Sequence, residues 1–120
     1  MLSNFHYQSY QEFAAILGQL QTNANSPQLD VVKLREVFQQ AQRLFGQQII
    51  TLDLSDLAPS AASRVRSYHT ELDKQLKLLG MDITFLQAAR QPATVIARKE
   101  QICTRIQTLI NYCNILLEGG

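Results

Sequence analysis

Apolar residues recur at three- and four-residue steps in four stretches of the chain, and Pro27, Pro59 and Pro92 stand between them. In the first, Tyr10, Phe13, Ile16, Leu17 and Leu20 make one stripe of an amphipathic helix over about 4–23. The turn formers Thr22-Asn23-Ala24-Asn25-Ser26-Pro27 close it. Asp30 is a candidate N-cap for a second helix, with Lys33 where a capping box would place Glu. Its stripe is Val31, Leu34, Phe38, Ala41, Phe45 and Leu52, with steps of three and four kept up to Phe45. Gly46 is a candidate C′ residue, and 47–54 reads as a helix end, an isolated strand or a loop. A lone strand has no partner here, so the helix is extended to about residue 50. Pro59 suits a first turn, and the third helix spans about 60–90 with the stripe Val65, Tyr68, Leu72, Leu76, Leu79, Ile83 and Leu86. Gln91-Pro92 forces a reversal. The fourth helix, about 93–117, carries Ile96, Cys103, Ile106, Leu109, Ile110, Cys113 and Leu117, and Gly119-Gly120 ends it.

These four helices predict an all-α fold, an antiparallel four-helix bundle forming one domain over 1–120. A two- to three-residue turn makes the last two helices a long αα-hairpin, in which residues equidistant from the turn face each other. Asp82 then falls within a turn of Arg98 or Arg105, and one cross-helix ion pair is expected. The third helix, at roughly 46 Å, outruns the first two, at roughly 30 Å each. Part of the hairpin is therefore expected to project. Leu78, Met81 and Phe85 flank the third stripe and widen it beyond a simple seam. They are the candidates for self-association, as a homodimer, or for a protein partner.

Composition narrows the function. At 46% hydrophobic and 18% charged, the chain has material for a core and too little charge for a disordered tail. Its net charge of +1 does not indicate a strongly basic binder, and fifteen Gln suit helix surfaces. Cys103 and Cys113 lie about 15 Å apart on one helix, beyond disulfide reach, and read as small core residues of a reducing compartment. The N-terminal stretch has no leader pattern and no apolar run approaches a membrane span, so a cytoplasmic protein is expected. His6 and His69 have no Cys or carboxylate at ligand spacing and read as surface residues, with no metal site. No nucleophile elbow, Walker-type loop or dinucleotide fingerprint occurs. Gly18, Gly46 and Gly80 are expected to permit close helix approach. Neither an enzyme, a cofactor nor a small-molecule substrate is expected.

Charge is uneven. Residues 1–60 hold three basic and five acidic side chains, and residues 61–120 hold eight and five. Arg64 and Arg66 open the third helix, where they could steer an acidic partner. The alternative is a nucleic-acid-binding regulator using Arg64, Arg66, Arg98, Lys99 and Arg105. Interleaved Glu71, Asp73, Asp82 and Glu100 favour an ordinary solvated face instead.

The run Ser63-Arg64-Val65-Arg66-Ser67-Tyr68-His69-Thr70-Glu71-Leu72-Asp73-Lys74-Gln75-Leu76-Lys77-Leu78-Leu79 resembles the PatD family of cyanobacteria. The similarity continues through Asp82-Ile83-Thr84-Phe85-Leu86-Gln87-Ala88-Ala89-Arg90-Gln91-Pro92-Ala93-Thr94 and ends near Leu109-Ile110-Asn111-Tyr112-Cys113. It covers about half of the chain, the third and fourth helices. The resemblance implies a non-enzymatic regulator of heterocyst frequency and cell differentiation in filamentous cyanobacteria, linked to cell division through the tubulin-like protein FtsZ. It carries over no binding residues.

Overall fold

The computed structural model describes residues 4–119. Residues 1–3 of the N-terminal stretch and Gly120 of the closing pair lie outside them. Four helices follow one another: α1 (Asn4–Ala24), α2 (Val31–Leu44) continued by a π-helical turn (Phe45–Ile49), α3 (Pro59–Ala88) and α4 (Pro92–Leu117). Among the described residues there is no strand. Asp30 caps α2, its carboxylate accepting from the Lys33 backbone N–H at 3.2 Å. Pro59 and Pro92 each open a helix, where the missing N–H costs nothing.

Each helix packs against the next, and α4 closes back on α1. The closest partnership is the α3–α4 hairpin. The molecule measures 51 × 21 × 20 Å, which matches the roughly 45 Å expected of a 30-residue α3. One core runs its length. Phe13, Leu17 and Leu20 from α1 meet Leu34 and Val37 from α2, Leu72, Leu79 and Ile83 from α3, and Ile102, Ile106 and Leu109 from α4. Burying each such side chain contributes about 1.5–3 kcal/mol, so this stripe outweighs every surface contact in the molecule.

The helix after α2 does not stop at Gly46, as a C′ reading would have it. It runs on through a wider turn closed by Ile50 N–H to Phe45 C=O, 3.0 Å. Ala41, Phe45 and Ile49 are all buried and spaced by four. In a regular α-helix that spacing drifts by about 40° per step, and the extra residue in a π turn takes up the drift. Residues 52–54 then run without helix, Leu52 and Leu54 turned inward and Asp53 outward. This segment has the alternation of a strand without a ladder.

Two expectations about the packing of the helices need correction. Close approach at glycine holds only for Gly80, where an added Cβ would sit 2.8 Å from Phe38 Cζ; at Gly18 and Gly46 nothing lies within 4 Å. Ile96, expected in the α4 stripe, is 59% exposed. The α1 helix ends at Ala24, whose carbonyl lies against Cys103, so the first turns of α4 extend beyond it. The length mismatch therefore exposes Ile96 at the hairpin tip.

Candidate functional site: the outer face of the α3–α4 hairpin

Three cross-helix contacts fill the solvent side of the α3–α4 seam. Near the turn, the Arg98 guanidinium lies 4.7 Å above the Phe85 ring. One turn back along α3 and two turns on along α4, Arg105 Nε donates to Asp82 Oδ2 at 2.8 Å, the expected hairpin ion pair. Towards the far end, the Tyr68 and Tyr112 rings stand 5.8 Å apart. Asp82 is only 4% exposed, so this pair is more than a surface contact.

Beside that seam, Met81 is 53% and Phe85 43% exposed, with Leu78 half-buried one turn earlier. The spacing i, i+3, i+7 puts the three on one line of α3. Leu79, Ile83 and Leu86 on the opposite side of the same turns are buried. The predicted cluster is thus brought together, but the cause is lateral. It opens on the side of α3 opposite the buried Leu79, Ile83 and Leu86.

Arg64 and Arg66 do not join it. Two helical residues apart means about 200° apart, and both lie roughly 30 Å along α3 from Phe85. Arg66 instead borders an open cleft of about 450 Å³ between α3 and the 50–55 segment, with Ile50, Leu52, Leu54, Ser55 and Thr70 around it. Lys99 turns towards α1, in a groove with Ile96, Pro27 and Cys103. The five basic residues of the nucleic-acid reading are distributed over several faces, and Arg105 is paired with Asp82.

The histidines correct a further expectation: both are buried. His6 Nε2 donates to the Asp53 carbonyl at 2.7 Å and so pins the extended segment. His69 Nε2 hydrogen-bonds the Tyr10 hydroxyl at 2.7 Å. Burial, with the charge of His6 second, pushes the His69 imidazole down to about 4. Burial likewise raises the Tyr10 phenol, with the Cys113 thiol adding to it, and lifts that thiol to about 12. Cys113 donates to the Tyr10 carbonyl at 3.4 Å. A thiol held neutral is a poor nucleophile and metal ligand, so this cluster acts as packing. The signal for burial was position: His6 is four before Tyr10, and His69 falls between Val65 and Leu72, both on the buried stripes. Among the described residues, no three His, Cys, Asp or Glu side chains converge as a metal site would require. No helix among them is long and apolar enough to cross a membrane.

A family model described as the CRR41 C-terminal domain matches residues 50–114, more than half of the chain. The match takes in the 50–58 segment, all of α3 and most of α4, and with them the whole outer face. No curated protein and no solved structure matches.

Proposed function

The chain belongs to the CRR41 C-terminal domain family, whose matched segment includes the hairpin, and we propose that it is a non-enzymatic regulatory protein acting by binding another protein through the hairpin's outer face. The observation that carries this reading is the exposure of Met81 and Phe85, in line with Leu78, on the best-packed pair of helices in the molecule. Large apolar side chains gathered on a rigid support are what an interface core requires, and an Arg stacked on an aromatic ring is a frequent anchor. The resemblance to PatD supplies a setting: control of heterocyst frequency in a cyanobacterial cytoplasm, with the division protein FtsZ as partner.

Cosedimentation with FtsZ polymers tests this directly. The full chain is expected to pellet with polymers of a filamentous cyanobacterium's FtsZ, and the Phe85→Asp variant to stay in the supernatant. If the wild-type chain stays in the supernatant too, FtsZ is not the partner. If Phe85→Asp pellets as well as wild type, the binding face lies elsewhere.

A further inference from the structure

The apolar line Leu78–Met81–Phe85 is bracketed by two cations. Lys74 is exposed one turn before Leu78, and Arg98 reaches across from α4 to cover Phe85 at 4.7 Å. Of the other cations beside the line, Lys77 is matched by Asp73 at 2.8 Å and Arg105 by Asp82 at 2.8 Å, while Arg35 of α2 donates to Thr84 Oγ1 at 3.1 Å and Gln87 Oε1 at 2.6 Å. Lys74 and Phe85 are separated by about 16 Å, three turns of helix. An apolar strip two turns long with a positive charge at each end is complementary to one face of a short helix.

Resting on the reading of this face as the binding face, we propose that its occupant is an amphipathic helix of another protein, laid along α3. The partner helix covers Leu78, Met81 and Phe85 with its own apolar stripe and sets carboxylates about 16 Å apart against Lys74 and Arg98. A second copy of this chain fits worse. An antiparallel pairing that puts Phe85 on Leu78 brings Arg98 beside the copy's Lys74, and a parallel one sets Lys74 on Lys74. Like charges meet in both symmetric arrangements. Nucleic acid fits worse as well, since it needs a row of phosphate contacts and here an apolar strip separates two cations.

A displayed library of amphipathic helices, with flanking positions either Glu or Lys, panned against the full chain tests the proposal. Glu-flanked binders are expected to be enriched about tenfold over Lys-flanked ones, because opposite charge at a rim favours encounter. Against the doubly reversed Lys74→Glu, Arg98→Glu chain, with its helicity verified by circular dichroism, the preference is expected to invert. Binders that are lost on Phe85→Asp but indifferent to flank charge overturn the acidic helix and leave the protein-binding face standing. An empty library overturns the helical occupant. Binders that survive Phe85→Asp overturn both the helix and the face.

Discussion

His69 shows how much one side chain's surroundings can load onto stability. It is 5% exposed and hydrogen-bonded to the Tyr10 hydroxyl, and its imidazole titrates near 4 when folded. In the unfolded chain it returns to the ordinary value of about 6.5. Between these values the unfolded chain takes up a proton that the folded chain refuses. Stability therefore falls as pH drops from about 6.5 towards 4, by up to about 3 kcal/mol, and His69 adds nothing further above or below that window. Urea unfolding at pH 7 and pH 4.5 should show this loss in wild type and a clearly smaller one in His69→Gln. Equal losses in the two chains would remove His69 as the cause. At this scale the sequence was least readable. Ligand spacing says what His6 and His69 cannot do, yet their burial follows from lying on two buried stripes, His6 with Tyr10 on α1 and His69 with Val65 and Leu72 on α3. Polarity argued for the surface, and partners supplied by the Asp53 carbonyl and the Tyr10 hydroxyl settled the matter otherwise.

The elements were far more legible. Three- and four-residue spacing located all four helices to within a residue or two, because burying a stripe is the main source of helix stability. Proline marked the starts of α3 and α4. What spacing did not reveal was the π turn, since its cause is a mismatch between the steps of four at Ala41, Phe45 and Ile49 and the α-helical period. Hairpin register was readable from the turn to within one helical turn: equal distances from residues 91 and 92 set Asp82 against residue 101, and the pair formed with Arg105, four residues on. That pair now fixes the α3–α4 contact from a site where Asp82 has no water to replace its partner. Arg105→Met should cost about 3 kcal/mol, because it leaves a buried carboxylate unpaired, and adding Asp82→Leu should return most of the loss. Chemical denaturation of the three variants measures both steps. A double variant as unstable as the single one would mean that packing around Arg105, and not the pairing, carries the energy.

For the whole molecule, the long hairpin and its surplus apolar face were both anticipated, but they are connected differently from the way helix lengths suggested. Unequal length exposes Ile96 at the tip. Direction exposes Met81 and Phe85, on the side of α3 opposite the buried Leu79, Ile83 and Leu86. A one-dimensional stripe distinguishes core from flank only when the neighbours are known, which is why the five predicted residues separate into a cluster of three and two distant arginines on different sides of α3. Binding through this face requires that Phe85 be dispensable for folding, although it lies only two residues from Ile83 at the centre of the core. Urea unfolding of Phe85→Asp beside Ile83→Asp decides this most directly. Phe85→Asp should unfold cooperatively within about 1 kcal/mol of wild type, the scale of a surface substitution that also removes one cation–π interaction. Ile83→Asp should abolish the cooperative transition, since it buries an unpaired charge. A Phe85→Asp chain that unfolds as Ile83→Asp does would make Phe85 part of the core and contradict its role at a binding face.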